Sequence, residues 1–290
     1  MAKSGITGIF YHISFSRRSY LTVGARLADF PEAFEPLVAH SHVQLFESQP
    51  VSEELILKIH TPELIEGVGR DPLCSTAWHS AGGCVEAGER IMTGELRNAF
   101  VTIGAGGHHS GFDYFGGYCC FNDVALTITR LRDLGLARRF AIVDTDAHHG
   151  DGTRQIFNDD PDVLHICLCG TSWESADGTK VDVKIPWFSW RREDNNTPYL
   201  ELVEQHVPHR VRAFQPDLLF WYYGFDTHHG DYGSIGLTGE CFFAICDVMM
   251  RLAEEVSGGR LAVVLGGGSR TDIATATIPE IIRRLAGLTH

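Results

Sequence analysis

The sequence predicts a doubly wound α/β fold, with a mainly parallel central sheet flanked by helices. Three observations carry that expectation. Five short runs are apolar throughout, segments of helical period lie between them, and four of the runs end in Gly accompanied by Asp and His or by Ser and Arg. Parallel strands covered by helices on both faces bury every side chain, so they read as continuous apolar stretches and not as an alternation. Strand runs alternating with helical segments imply layers packed on both sides of one sheet.

In chain order, the strand runs are AFVTIG (99–104), FAIVDTD (140–146), VLHICLC (163–169), LLFWYYG (218–224) and LAVVLGG (261–267). Helical segments are expected over 53–67, 77–93, 197–213 and 277–286. Asn122 is placed to cap a helix that carries Val124, Ile128, Leu131 and Leu134 on one stripe. Thr238 is placed to start another, with Phe242, Ile245, Met249, Leu252 and Val256 on its apolar face. Ser, Thr, Asn and Asp favour such positions because their side chains accept from the unpaired amides of the first turn.

The chain has 290 residues, 44% hydrophobic and 21% charged, enough for one sizeable core. No linker-like tract, charge block or repeat divides it, so a single domain over 1–290 is expected. The first twenty residues are too polar for a signal sequence, and no segment approaches the roughly 20 apolar residues that cross a bilayer. A soluble, cytoplasmic protein without membrane contact is the expectation. The formal net charge is −13 without a basic cluster. That argues against a nucleic-acid-binding face and favours cationic ligands. Eight Cys occur without a C-x-x-C, which suggests buried free thiols in a reducing compartment, not disulfides or a structural zinc.

In doubly wound sheets, ligands bind beyond the carboxyl ends of the strands. DTDAHHGDG follows FAIV, GAGGHHSG follows FVTI, GFDTHHGD follows LLFWYY and GGGSR follows LAVVL, so one pocket is expected to collect all four ends. Asp146 and His148, two apart on an extended segment, point to one side and are placed to share a metal ion. Asp231, at the end of GFDTHHGD, is expected as the third ligand. Two carboxylate oxygens and one imidazole with an open position suit catalytic zinc, which acidifies water and polarises a carbonyl. The adjacent His108 and His109 suit proton transfer once carboxylates fix their tautomers, and Asp144 and Asp151 are placed to do so. GAGGHH lacks the third glycine of a dinucleotide fingerprint and LGGGSR lacks a phosphate loop's Lys. Close backbone approach explains both glycine clusters more simply. His228 and His229 read as loop, and Trp173, Trp187 and Trp190 as rim, core or oligomer contacts.

With these residues assembled, the sequence resembles the histone deacetylase family within the arginase/deacetylase fold. The likeness runs through HTPELIEGV (60–68), GGHHSG…GGYCCFNDVALTI, VDTDAHHGDGT, GFDTHHGD and VVLGGG, in that order. It implies zinc held by Asp146, His148 and Asp231, and tandem histidines His108 and His109 with carboxylate partners Asp144 and Asp151. Tyr118, Phe115 and Gly267 are implied to line a narrow tube for an acyl-amine chain. The implied reaction is hydrolysis of an acyl amide on a lysine side chain or a polyamine, with a structural potassium ion near Asp144, Asp146 and His148.

Two departures from the family pattern stand out. The family's last strand usually ends GGGGY, whose Tyr donates to the developing oxyanion; here the stretch is GGGSR. Losing one such donor typically costs about 100- to 1,000-fold in turnover. Tyr232, directly after Asp231 where members commonly carry Pro, is expected to supply a substitute hydroxyl, and Arg270 is expected to contact an anionic group of the substrate. Cys167 stands where many members have a Ser that helps bind the monovalent cation. Two alternatives remain: a low-activity or non-catalytic acyl-binding homologue, and a binuclear manganese ureohydrolase, which would want Asp at position 150. An oligomer is compatible with the sequence.

Overall fold

The computed structural model describes residues 5–17, 25–185 and 195–288. Among these residues the strands number nine: β1 (Thr7–Tyr11), β2 (Val43–Glu47), β3 (Asn98–Val101), β4 (Phe140–Asp144), β5 (Val163–Cys169), β6 (Trp173–Glu174), β7 (Lys180–Lys184), β8 (Leu218–Tyr223) and β9 (Leu261–Leu265). They form one sheet in the order β2-β1-β3-β9-β8-β4-β5-β7-β6, parallel except for the β6–β7 pairing. The doubly wound class expected from the apolar runs is therefore present.

This order explains why four strand ends meet. β3, β9, β8 and β4 are consecutive in the sheet although scattered along the chain, and one register row joins Val101, Val264, Tyr222 and Asp144 across them. At roughly 4.8 Å between neighbouring strands, the four ends fall within about 15 Å of one another. Three of these strands stop two or three residues short of the expected runs, because the chain leaves the ladder there to turn side chains toward the site.

Several helices differ from expectation for identifiable reasons. The segment 53–67 divides into Glu53–Ile56 and Pro62–Arg70, with Pro62 in the first turn and Thr61 Oγ1 accepting from Leu64 N. Pro208 likewise divides 197–213 into Asn196–His206 and Pro208–Phe214. Proline lacks the amide needed to continue a helix but fits its first turn. Asn122 caps Asp123–Asp133 through Ala125 N as expected, and Thr238 precedes Gly239–Ser257. The last helix starts earlier than expected, at Thr271, and contains Pro279. β1, β2, β6, β7 and the short helix Asp151–Phe157 were not expected. β1 is a buried interior strand of only five residues, and β2 buries only Val43 fully.

Cys74 and Cys120 form a disulfide, which corrects the expectation of free thiols throughout; their separation of 46 residues leaves no motif. The other six cysteines are buried. Trp173 lies at the surface with the Arg154 guanidinium over its ring, whereas Trp187 and Trp190 lie outside the described residues. No helix among the described residues is long and apolar enough to cross a membrane.

His60 pins the loop that carries the tandem histidines. Its Nδ1 donates to Gly111 O at 2.8 Å, and its Nε2 accepts from Asn122 N at 3.2 Å, a pattern that requires the neutral ring. Burial lowers its pKa from 6.5 to about 4. A depressed folded pKa means that the unfolded chain takes up the proton first, so the contribution is complete above pH 6.5 and fades as pH falls toward 4. Acidification across that window is expected to remove up to about 3 kcal/mol. Urea unfolding of wild type and His60→Gln should converge in stability as pH falls; a constant difference would refute the assignment.

Candidate active site

The end of β4 sets the first part of the site. Asp144 is buried; its Oδ1 accepts from Asp146 N at 3.1 Å and its Oδ2 pairs with His108 Nδ1 at 2.7 Å. Beyond it the chain bends, so Asp146 and His148 meet across a turn and not along an extended strand. Asp146 Oδ1 accepts from His148 N at 3.0 Å and lies 3.1 Å from His148 Nδ1, while Oδ2 accepts from Gly267 N at 2.6 Å.

The third group is Asp226, on the single 3-10 turn Phe225–Thr227 after β8. Its Oδ1 accepts from Ala147 N at 3.2 Å, and its Oδ2 lies 2.9 Å from His148 Nδ1. One ligand atom from each of Asp146, His148 and Asp226 lies within 4.8 Å of the others. This corrects the expected ligand Asp231. The carboxylate of Asp231 is turned to the loop after β9, where it accepts from Ser269 N, Ser269 Oγ and Arg270 N at 2.9–3.1 Å, besides its neighbour Tyr232 N. Asp231 ties two loops together; Asp226 faces the imidazole. Asp226 was legible as the first carboxylate after its strand, as Asp146 is the first after β4.

The triad fits a divalent cation. Asp146 and Asp226 are both buried, and Asp226 Oδ2 has no aligned hydrogen-bond donor. Burial, followed by the charge of Asp146, pushes the Asp226 carboxyl up to about 7. The adjacent carboxylates of Asp146 and Asp226 raise His148 to about 10. Two confined carboxylates repel unless a cation lies between them. Gly267 keeps that space open: a Cβ there would sit 2.7 Å from Asp146 Oδ2, 2.8 Å from the Tyr232 hydroxyl and 2.9 Å from Asp226 Oδ2. The oxygen–oxygen–nitrogen donor set suits zinc with an open position.

Beside the triad stand two His–Asp pairs. The ring of His108 stacks on Tyr222, with centroids 4.7 Å apart, and His108 N donates to the Tyr222 hydroxyl. Burial opposes its charge, but Asp144, Asp146 and Asp226 outweigh burial and raise His108 to about 9. His109 Nδ1 lies 2.5 Å from Asp151 Oδ1, and Tyr114 donates to the other oxygen of Asp151. Burial opposes the ionised form of Asp151, but His109 and Tyr114 hold its carboxyl below the usual range. The two imidazole centroids are 4.2 Å apart.

Of these groups, His108, His109, Asp146 and His148 line one narrow cavity of about 80 Å³, and Asp144, Asp151 and Asp226 contact them from behind. Tyr118, Gly267 and Tyr232 line it, as expected; Phe115 and Arg270 do not. Phe115 packs on the apolar cluster around Leu64 and Val68, and Arg270 is half exposed and paired with Asp272. The Tyr232 hydroxyl accepts from Gly268 N at 3.1 Å, and its ring lies 5.7 Å from that of His148. The side chain is half exposed, but desolvation of its hydroxyl and the charges of Asp146 and Asp226 raise its phenol above the ordinary range, keeping it protonated. Arg26, Tyr222 and Cys119 also line the cavity without having been anticipated. Buried Arg26 donates to the carbonyls of Gly266, Gly268 and Ile103, joining the ends of β3 and β9. No local pattern around Arg26 marks it in the sequence.

The family model for the histone deacetylase domain matches residues 25–285. The chain belongs to the histone deacetylase family. Among curated family relatives, histone deacetylase clr3 of Schizosaccharomyces pombe is 29% identical over 72% of this chain, and the mouse polyamine deacetylase HDAC10 is 31% identical over 72%. These matches span only 32% and 33% of those proteins. A probable deacetylase of Archaeoglobus fulgidus is 28% identical over 87% of this chain and 77% of its own. The crystal structure of the HDA15 HD domain superposes with a TM-score of 0.84 over 98% of this chain and 90% of that one, at 23% identity, a likeness of fold. Against the family pattern of a Tyr after the last strand, this histone deacetylase homologue has Ser269 and Arg270 there, and the tyrosines that line the cavity are Tyr118, Tyr222 and Tyr232.

Proposed function

We propose that this chain is a zinc-dependent amidohydrolase that removes a short acyl group, acetyl above all, from the amide of a lysine side chain or a polyamine. The observation that carries this is one narrow cavity lined by Asp146, His148, His108, His109 and Tyr232, with Asp226, Asp144 and Asp151 held against those groups. The names of the murine polyamine deacetylase and the archaeal probable deacetylase support the same reaction class.

Asp146, His148 and Asp226 would hold the ion, which when bound supplies a Lewis acid that acidifies water and polarises the carbonyl. His109, its ring fixed through Nδ1 by Asp151, takes the proton of the attacking water at Nε2 and returns it to the departing amine. His108, held as imidazolium by Asp144 and Asp146, places a positive charge beside the reacting carbonyl. Tyr232 donates its hydroxyl to the carbonyl oxygen as charge develops there. The carbon–nitrogen bond breaks, and the products are a carboxylate and an amine. Net charge of −13 favours a cationic amine product chain. The small cavity favours acetyl over long acyl chains.

One ion per cavity fits better than the two manganese ions of a ureohydrolase. A Cβ at Gly150 would lie 2.7 Å from Asp144 Oδ2 and 3.1 Å from His108 Nδ1, so the extra carboxylate has no room. The expected potassium ion gains no support, since the thiol of Cys167, 4.0 Å from His148 O, replaces a hard oxygen with a soft sulfur.

Turnover of acetyl-lysine peptides and acetylated polyamines should vanish on chelation and return with zinc. His109→Ala should lower it about 100- to 10,000-fold. Acyl-ligand binding without turnover would favour the acyl-binding homologue, and full turnover after exhaustive chelation would overturn the proposal.

A further inference from the structure

A second cluster of ligand chemistry lies on the other side of the bend after β4. Cys167 and Cys169 are two apart on β5, so both thiols leave the same face of that strand. Asp182 on β7 is the registered partner of Cys167. His149 turns away from its neighbour His148 toward this group. Its Nδ1 lies 3.6 Å from Cys169 Sγ and 3.6 Å from Asp182 Oδ1. One ligand atom from each of the four residues lies within 4.8 Å of the others.

We propose that His149, Cys167, Cys169 and Asp182 form a second metal site, a four-ligand structural site for zinc. The two distances from His149 match the chemistry: bonds of about 2.0–2.3 Å in a tetrahedron put ligand atoms roughly 3.3–3.8 Å apart. Two thiolates, a carboxylate and an imidazole complete the shell, leaving no open position for substrate, which is the pattern of structural zinc. The charges also balance. Two thiolates and Asp182 carry three negative charges, a divalent ion offsets two, and the Arg154 guanidinium, 2.7 Å from Asp182 Oδ1, offsets the third. The cysteines are fully buried, but the His149 side chain is 31% exposed and marks an entry path.

Such an ion would fasten β5 and β7 to the loop that carries His148, so a metal outside the cavity would fix the backbone of a catalytic ligand. The residues come from three segments, which is why cysteine spacing alone suggested plain buried thiols.

Loading the purified, reduced chain with cobalt tests the site directly. Only a thiolate-bearing site produces sulfur-to-cobalt charge-transfer absorption in the near ultraviolet, since the cavity triad offers oxygen and nitrogen alone. The expected result is that band in the wild-type chain, together with two zinc ions per chain by elemental analysis. Cys167→Ser/Cys169→Ser should lose the band and one zinc, and Asp226→Ala should keep the band and lose the other. Absence of the band from the wild-type chain overturns the second site, whatever the variants do. A single zinc lost only in Asp226→Ala would do the same and leave the proposed cavity metal intact. A single zinc lost only in the double cysteine variant would sustain this site while refuting the cavity metal.

Discussion

Asp226→Ala is expected to release one zinc ion per chain and lower deacetylation by on the order of 1,000-fold or more, whereas Asp231→Asn keeps its full zinc content. The two carboxylates are five residues apart in GFDTHHGD, but they do different work. Asp226 is buried, faces His148 across 2.9 Å and has one oxygen without an aligned donor, so its removal takes away a ligand that nothing replaces. Asp231 is saturated by donors from Ser269, Arg270 and Tyr232, and Asn in its place loses part of that loop brace. Its activity should fall only as far as Tyr232 is displaced. Zinc content separates the cases: loss of metal from Asp231→Asn with retention in Asp226→Ala would reverse the ligand assignment.

Tyr232→Phe is expected to lower kcat by about 100- to 1,000-fold with zinc content and melting temperature near wild type, the cost of losing one oxyanion donor. The hydroxyl is held by Gly268 N beside the open space above Gly267, and the phenol stays protonated there. KM should change far less than kcat, because the hydrogen bond strengthens only as charge builds on the carbonyl oxygen. Arg270→Ala, by contrast, breaks an exposed pair with Asp272 outside the cavity and should leave turnover nearly unchanged. Unchanged kcat in Tyr232→Phe would reduce the residue to a packing role. A large loss in Arg270→Ala would move the missing donor back to the last strand.

Much of the site was legible because its chemistry is local. His108 and His109 share one loop, Asp144, Asp146, His148 and Asp151 share one bend, and each cluster follows an apolar run that could only be a covered strand. The same locality misled where two carboxylates flank one loop. Asp226 and Asp231 are chemically identical in the sequence, and what separates them is the 3-10 turn Phe225–Thr227, which aims the first inward, and the Ser269 and Arg270 amides, which capture the second. Tyr118 and Gly267 were placed from motif position and line the cavity, while Phe115 and Arg270, read the same way, are claimed by an apolar cluster and by Asp272.

The sequence by itself determined the class of fold, the strands that carry the chemistry and the kinds of side chain available at their ends, because burial on both faces and the geometry of strand termini are imposed by local pattern. The tertiary structure alone decided which of those side chains meet. Strand order made neighbours of β3, β9, β8 and β4; Arg26 crossed to the ends of two strands; and His149, Cys167, Cys169 and Asp182 were gathered from three segments. Contacts between residues distant in the chain depend on where the sheet places whole elements, and no short stretch of residues holds that information.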